Sequence, residues 1–389
     1  MVTAATRPQV EWHVITCEYP PQLGGVSDYT RLVAAGLAAR GDRVHVWAPR
    51  IVAARPSDDA VELHDEAGSF SSADLRRLDH ALDRFAGPRR LLVQWVPHGY
   101  GYWSMNVGFC LWLLRRARRS GDTIDIIVHE AYVLFRWDRL KENALAAVHR
   151  LMTVILLRAA TRVWYSIPNW EKLWRPYAFG RDIPFAWLPL PATIPLHWQA
   201  HPVGALRRRF APRGEPLLGH FGTFGRDIRE MLVRILAGLP ANLPGHSVLL
   251  VGPGGDEAAA ELLKLRPDLA GRVHATGALR ASDVSPYIDV CDVMLQPYTD
   301  GVSSRRTSFM AGLALGRPTV TTLGVASEAF WKDSGAAVFA APHDTPALAD
   351  AVGRLLTDAS ARQRVGGAAR ALYQSRFDIR HVIETLRAS

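Results

Sequence analysis

The sequence predicts an α/β protein with two domains, each built on a mostly parallel sheet. The chain has 389 residues, which suits two domains of about 150 to 200 residues better than one core. Short apolar runs alternate with longer amphipathic stretches in both halves, the pattern of successive βαβ units. Between the two series, residues 176–215 are rich in proline and have little periodicity, which predicts a linker region.

The first series begins with a strand at 11–16, and a loop with two prolines and two glycines follows it. A helix is predicted at 28–40, because apolar residues recur there on one face and Gly41 can end it. The other predicted elements of this half are strands at 44–48, 91–96, 124–128 and 162–166 and a helix at 105–119.

The second series repeats the pattern and closes with helical stretches near 344–375 and 378–388. Its predicted strands are 216–221, 247–251, 272–276, 293–296, 319–322 and 336–339. We expect an N-terminal domain over 1–200, a C-terminal domain over 201–372 and a final helical segment over 373–389.

The net charge indicates which classes of partner the protein binds, and the cysteines indicate its cellular compartment. The formal net charge of +9 favours anionic partners, such as nucleotide phosphates, nucleic acid or an acidic membrane surface. The basic residues are dispersed and form no nucleic-acid recognition module. Three distant cysteines form neither a disulfide framework nor a zinc-binding spacing, which suits a reducing cytosol. With no signal-peptide core and no membrane-spanning run, a cytoplasmic protein is expected, with peripheral association at the inner membrane face as an option.

The segment DGVSSRRTSFMAGLALGRPTV, residues 300–320, contains the most informative site candidate. Arg305 and Arg306 stand where a helix is predicted to begin, although a helix N-terminus already carries partial positive charge. A phosphate or diphosphate would remove this conflict, because free N–H groups, guanidinium groups and the hydroxyls of Ser304, Thr307 and Ser308 could all bind it. The alternative is that both arginines point into solvent.

Glycine-containing loops follow several predicted strands, where the backbone could approach a phosphate or sugar closely. The candidate residues in these loops are Gly24, Gly25, Gly222, Thr223, Arg226, Gly252 and Gly254. Ordinary turns with a helix cap need the same residue types, and the first loop lacks the G-x-G-x-x-G spacing of dinucleotide sites.

His129 follows the apolar strand sequence IDIIV, at the strand end where parallel sheets place ligands. It could donate a hydrogen bond to a sugar hydroxyl, or it could be a structural histidine bonded to a nearby backbone group. The chain has no G-x-S-x-G elbow, no Walker loop and no metal-ligand spacing.

Two further features fit a lipid or sugar surface. Arginines at 115, 116, 118 and 119 end an apolar helix, either as a basic lipid-facing surface or as ordinary helix C-terminal charges. Trp95, Trp103, Trp137 and Trp170 lie near strand ends and could stack on a sugar or an apolar acceptor, or could pack in the core.

Taken in order, these segments resemble retaining glycosyltransferases of the GT-B fold, in particular family 4. EYPPQLGGVSDYT is similar to that family's glycine-rich acceptor-side loop, and IIVHE to its strand ending in a sugar-contacting histidine. The second half follows the order of the family's donor-domain segments, with LLGHFGT, VLLVGPGG, HATGAL and YIDVCDVMLQPYTDG. GRPTVTTLGVASE resembles the stretch that ends in a donor-binding glutamate, here Glu328, and SRFDIRHVIETL its last helix.

The resemblance implies two Rossmann-like domains facing a cleft, with the C-terminal helix crossing back to the first domain. It implies transfer of a sugar from a nucleotide-diphosphate donor to a sugar, lipid-linked or small-molecule acceptor, with retention of configuration and with no metal or cofactor. His129, Arg305 and Arg306 are then the catalytic candidates. One departure concerns two glutamates of the family, because Ser303 and Ala311 occupy their places.

Two other functions remain open at this point. The first is an epimerase or an inverting transferase of the same fold, in which Asp28 or His129 would be the general base. The second is a non-catalytic subunit that binds a sugar nucleotide and supports a partner.

Overall fold

The computed structural model describes residues 9–22, 24–49, 61–101, 103–138, 140–196, 203–240, 243 and 245–389. The chain folds into two compact units. Unit 1 comprises Met1–Pro189 and Ile379–Ser389, and unit 2 comprises Leu190–Asp378. The predicted domain divisions were at 200/201 and 372/373.

Unit 1 contains a seven-stranded parallel sheet in the order β3-β2-β1-β4-β5-β6-β7. Its strands are β1 (Glu11–Thr16), β2 (Arg43–Trp47), β3 (Glu62–His64), β4 (Arg90–Trp95), β5 (Thr123–Val128), β6 (Arg162–Tyr165) and β7 (Phe185–Trp187). Its first helices are α1 (Gly25–Ala38), α2 (Ser72–Leu82), α3 (Val107–Arg119), α4 (Leu140–Ala159) and α5 (Pro168–Trp174). The central strands β1, β4 and β5 are almost wholly buried, as expected for a parallel sheet covered on both faces.

Unit 2 contains a six-stranded parallel sheet in the order β10-β9-β8-β11-β12-β13. Its strands are β8 (Leu217–Phe221), β9 (Ser247–Val251), β10 (Val273–Ala275), β11 (Val293–Gln296), β12 (Thr319–Thr322) and β13 (Val338–Ala340). Its helices are α6 (Val203–Phe210), α7 (Arg226–Ala237), α8 (Gly255–Leu265), α9 (Ala281–Asp289), α10 (Thr307–Ala314), α11 (Thr345–Thr357) and α12 (Ala359–Leu372). Each unit has its own hydrophobic core.

The last helix, α13 (Ile379–Ala388), belongs to unit 1 and packs on α1. The two helices approach closely because Gly36 has no side chain: a Cβ there would lie 2.8 Å from the Ile383 side chain. Arg387 also pairs with the buried carboxylate of Asp42 at 2.9 Å. These interactions confirm that the C-terminal helix returns to the first domain.

The predicted α/β class and the two parallel sheets are confirmed, but the region 176–215 is not purely a linker. It contains β7 and α6, and β7 pairs with β6 at the edge of the first sheet. A three-residue edge strand is too short for an alternating pattern to be visible in the sequence. The same reason explains why β3 was not predicted.

The basic end of α3 does not form one lipid-facing surface. The side chain of Arg116 is only 2 % exposed and pairs with the fully buried carboxylate of Asp122. It also pairs with Asp83 at 2.8 Å, so its charge is neutralised inside unit 1. Arg118 and Arg119 remain exposed.

Across the described residues, none of the helices combines the length and the apolar composition that crossing a bilayer requires.

Candidate functional site

The carboxyl ends of β8 and β11 mark the switch point of the second sheet. From β8 the chain proceeds outward through β9 and β10, and β11 then lies on the other side of β8. Open parallel sheets bind ligands at the carboxyl edge of such a switch point. The loop after β8 and the loop between β11 and α10 start there, and both contain residues predicted from the sequence.

The loops after β8 and β9 are in direct contact. The Gly222 N–H donates to the Val251 carbonyl at 3.1 Å. Gly252 has φ of +120°, and a Cβ there would lie 2.1 Å from the Gly222 carbonyl oxygen. Gly254 is left-handed, with φ of +89°, and caps the start of α8. The structure therefore brings these three predicted glycines together. Close backbone approach requires glycine at Gly252, and the left-handed φ favours glycine at Gly254.

Thr223 and Arg226 lie on the outside of the same region. Thr223 is exposed, and its carbonyl would lie 3.4 Å from a Cβ at Gly254. Arg226 begins α7, its side chain is 83 % exposed, and it pairs with Glu230 one helical turn away at 2.9 Å. In this conformation Arg226 is a solvated helix-surface charge.

Arg305 and Arg306 share an internal counterion. Arg305 lies 3.4 Å from the Asp300 carboxylate, and Arg306 contacts the other oxygen of the same group. The Arg306 guanidinium also lies over the Tyr298 ring, 4.7 Å from its centroid. Asp300 thus offsets part of the charge conflict that the sequence shows at the start of α10.

Ser304 and Glu328 lie together inside unit 2. The Ser304 N–H donates to the Glu328 carboxylate at 3.0 Å, and the Ser304 hydroxyl donates to it as well. The Trp331 indole N–H adds a third hydrogen bond, at 2.7 Å. In this conformation the N–H and the hydroxyl of Ser304 both donate to Glu328. These hydrogen bonds stabilise the loop that contains Arg305 and Arg306.

The two positions at which the resemblance would place glutamates are fully buried. Ser303 and Ala311 are both 0 % exposed. Two residues that were predicted to contact the donor lie beside them at the start of α10. Ser308 exchanges a 2.9 Å hydrogen bond with Tyr298, while Thr307 is the half-buried first residue of the helix. Burial raises the pKa of Tyr298 to about 12, so its hydroxyl stays protonated.

In unit 1, His129 directly follows β5 and is only 7 % exposed. Its Nε2 lies 2.8 Å from the side-chain oxygen of Gln94, and its ring makes a T-shaped contact with the Tyr29 ring. The Trp170 indole N–H donates to the His129 carbonyl at 3.1 Å. Burial lowers the pKa of His129 to about 3, so the imidazole is neutral near pH 7.

The glycines before α1 face a carboxylate of the chain itself. A Cβ at Gly24 would lie 2.3 Å from an oxygen of Glu18, and the Ser27 N–H donates to Glu18 at 2.9 Å. Gly24 is the N-cap of α1, and the Ser27 hydroxyl donates to the Gln22 carbonyl. Gly25 is the exposed first residue of the helix. The positive end of α1 therefore already has an anionic partner.

The nearby Asp28, considered as a general base, has its pKa raised by burial.

Two polar side chains near the switch point were not predicted. His220 Nδ1 lies 2.7 Å from the Leu295 carbonyl, and its buried Nε2 has no hydrogen-bond partner among the described residues. The side-chain N–H of Gln296 donates to the Phe221 carbonyl. The side-chain oxygen of Gln296 is buried and, like His220 Nε2, has no hydrogen-bond partner among the described residues. Burial lowers the pKa of His220 to about 4. A polar residue inside the apolar strands LLGHF and VMLQ was the signal that could have identified both.

Part of unit 2 matches a known protein family. Residues 215–358 match the family model for glycosyl transferases group 1. Comparison with curated proteins gave no match.

Solved structures resemble the chain over nearly its full length. The sucrose-phosphate synthase of Thermosynechococcus elongatus is 18 % identical, with a TM-score of 0.71 and 97 % of each chain covered. WaaG, a glycosyltransferase involved in lipopolysaccharide biosynthesis, is 18 % identical, with a TM-score of 0.65 and 97 % of this chain and 98 % of its own covered. HepE of Anabaena, solved with UDP and glucose, is 14 % identical, with a TM-score of 0.66 and the same coverage as WaaG. The chain thus has the GT-B fold, and residues 215–358 of its second unit match a glycosyl transferase family model.

Proposed function

We propose that this protein transfers a sugar from a nucleoside-diphosphate sugar to an acceptor hydroxyl, and that unit 2 binds the nucleotide. The observation that carries the proposal is the Arg305–Arg306 pair at the start of α10, beside the switch point of the second sheet. The bond between the anomeric carbon and the diphosphate oxygen breaks, the acceptor oxygen bonds to that carbon, and the acceptor hydroxyl loses its proton. The products are the glycosylated acceptor and a nucleoside diphosphate.

The electrostatics of the arginine pair suit this leaving group. Negative charge develops on the diphosphate as the bond breaks, and positive groups already in place stabilise it without reorganisation. The buried hydrogen bonds between Ser304 and Glu328 hold the loop that carries both arginines. Asp300 contacts both guanidinium groups with its single carboxylate and so holds them side by side.

The likeness to HepE, which was solved with UDP-glucose as well as with UDP and glucose, supports a nucleoside diphosphate as the leaving group. We also propose that transfer retains the anomeric configuration and that its chemistry needs no metal or other cofactor, as the family resemblance implies. NMR of the product anomer, with and without a chelator in the assay, tests both points. An inverted product would favour the alternative transferase with a general base such as Asp28.

We predict that Arg305→Ala and Arg306→Ala each weaken nucleoside-diphosphate binding by about tenfold or more, because each removes a charge-assisted contact to phosphate. A thermal-shift screen of nucleoside diphosphates first identifies the base, with UDP as the starting probe. Calorimetry of the purified variants then measures the dissociation constants.

Arg280→Ala is the matched control. Arg280 is also an arginine of unit 2, its side chain is 84 % exposed, and it pairs with Asp283 on the helix surface. We expect its affinity for the nucleotide to be unchanged. Wild-type affinity in both the Arg305 and the Arg306 variants would remove the proposed diphosphate site.

An exposed apolar surface of unit 1 favours an acceptor that is anchored in a membrane. The apolar patch consists of Trp103, Met105, Leu134, Phe135 and Trp137, all exposed, with Trp137 at 97 % and Trp103 at 71 %. Its two segments meet at His149, whose Nε2 donates to the Ser104 carbonyl at 2.9 Å and whose Nδ1 accepts the Val133 N–H at 3.3 Å.

The Arg150 guanidinium adds positive charge to the apolar patch and lies 3.8 Å from the centroid of the Phe135 ring. Exposed tryptophans beside a cation are the side chains that bind at the boundary between lipid headgroups and acyl chains. We therefore propose peripheral binding to an anionic membrane, with a lipid-linked acceptor as the corresponding substrate class.

We predict that the double variant Trp103→Ala/Trp137→Ala loses most of its binding to phosphatidylglycerol vesicles in a sedimentation assay, because its largest apolar contacts are gone. Leu265→Ala is the control, since Leu265 is a 60 % exposed apolar residue of unit 2. Equal sedimentation of the double variant and the wild type, or none by either, would rule out the membrane contact.

A further inference from the structure

Strands β1, β2 and β3, at one edge of the first sheet, place an unusual set of polar side chains on one face. The parallel register sets His45 opposite Glu62 and Trp47 opposite His64. Because residues two apart in a strand share a face, His45, Glu62 and His64 project to the same side. His45 is buried, His64 is largely buried, and Glu62 reaches solvent.

The three side chains converge on one point. His45 Nδ1 lies 3.1 Å from His64 Nε2, and the two nitrogens lie 3.2 and 3.4 Å from the two oxygens of Glu62. Ligands bound to zinc at about 2.0 to 2.2 Å in a tetrahedron are separated by about 3.3 to 3.6 Å. The separation of the two nitrogens and the distance from each nitrogen to one of the two Glu62 oxygens are close to these values.

Each histidine has a second carboxylate beside its other ring nitrogen. Glu11 lies 3.5 Å from His45 Nε2, and Glu66 lies 4.0 Å from His64 Nδ1. The negative charge of these carboxylates favours a cation in this cluster. His45 Nε2 is buried and has no hydrogen-bond partner among the described residues, so Glu11 acts on it by charge alone. Without a metal ion, a proton between His45 Nδ1 and His64 Nε2 hydrogen-bonds the two rings, and a metal ion bound there would take its place.

The surroundings keep this arrangement rigid and partly shielded from water. The His64 ring stacks on Trp47 with centroids 4.0 Å apart, and the His45 ring stacks on His13 at 5.1 Å. Phe85 packs against both ligand rings. Fixed imidazoles lose little conformational entropy when a ligand binds, which raises the affinity of such a site.

We propose that His45 Nδ1, His64 Nε2 and a carboxylate oxygen of Glu62 bind a divalent transition-metal ion, with Zn²⁺ as the ion that best suits two imidazoles and a carboxylate. The ion links β3, a three-residue edge strand, to β2. Its role is to stabilise this edge of unit 1, and binding releases any proton shared by the two inner nitrogens.

The test uses the full-length, tag-free protein after chelator treatment and dialysis. Calorimetric titration with ZnCl₂ is expected to show one ion per chain, and Co²⁺ is expected to give the visible absorption of a tetrahedral site. Glu62→Gln and His64→Ala are each expected to weaken Zn²⁺ binding by more than about tenfold, because each removes one of the proposed ligands. Zn²⁺ should also raise the melting temperature of the wild type but not of Glu62→Gln.

His343→Ala is the control, because His343 is an exposed histidine of unit 2, and its Zn²⁺ affinity should equal that of the wild type. The side chain of Glu62 is 63 % exposed, so Glu62→Gln keeps the fold even if a histidine variant does not. Absence of stoichiometric Zn²⁺ binding by the wild type would overturn the proposal. Zn²⁺ binding of wild-type strength in a folded Glu62→Gln variant would do so as well.

Discussion

Replacing Gly252 by alanine is expected to lower the free energy of unfolding by about 2 to 6 kcal/mol and to abolish nucleotide binding. The new Cβ would lie 2.1 Å from the Gly222 carbonyl oxygen, at a φ of +120° that alanine rarely adopts. The atom it meets belongs to the backbone, which cannot turn aside as a side chain can. The loop after β8 would have to move away from the switch point, and with it the proposed phosphate contacts.

Gly225→Ala is the control for this experiment. Gly225 lies in the same loop with φ of −51°, and a Cβ there meets no atom within 4 Å. The Gly225→Ala variant is expected to lose less than about 1 kcal/mol in its free energy of unfolding. Chemical unfolding measures both variants, and a thermal-shift assay with UDP measures binding. Equal stability of the two variants would show that the close approach of Gly222 and Gly252 is not required.

Replacing His129 by alanine is expected to lower the turnover number by about 10²-fold or more, the effect of losing one well-placed donor to a developing charge. Nucleotide affinity should remain within about twofold, because the proposed diphosphate contacts belong to unit 2 while His129 belongs to unit 1. Burial keeps the imidazole neutral, so it would act by hydrogen bonding and not as a cation. Steady-state transfer assays and calorimetry separate the two effects.

His80→Ala is the matched control, since His80 is an exposed histidine on α2 of the same unit. His129→Asn provides a second variant with a polar group near Gln94, in case the alanine variant is unstable. Wild-type turnover in folded His129→Ala would show that the histidine only supports Gln94 and Tyr29. A parallel loss of nucleotide affinity would instead indicate a general structural defect.

Strong local patterns predicted the central framework. The strands Ser247–Val251, Val293–Gln296 and Thr319–Thr322 were predicted with the bounds that the structure has. These strands are buried on both faces, so nearly every residue is apolar or small, and the signal is concentrated in a few consecutive positions. β3 and β7 were missed because an edge strand of three residues contains too little pattern.

The candidate site was predicted less completely, because partners far apart in sequence decide what each side chain does. Arg305 and Arg306 were identified from a local conflict with the helix N-terminus, but their orientation by Asp300 required the folded structure. Glu328 was expected to contact the donor, whereas the structure places its carboxylate on Ser304. His220 and Gln296 were overlooked, although each is a polar residue inside an apolar strand. That one buried atom of each lacks a hydrogen-bond partner among the described residues is visible only in the folded structure.

The sequence by itself determined the α/β class, the two parallel sheets, the order of the strand-end loops and the place of the arginine pair, because these follow from local periodicity and from residue type. Only the tertiary structure decided which charges meet. It placed Glu18 at the start of α1, buried Arg116 against Asp122, and brought His45, Glu62 and His64 to one point. Electrostatic and metal-binding properties depend on distances of a few ångströms between remote residues, and local sequence patterns do not encode those distances.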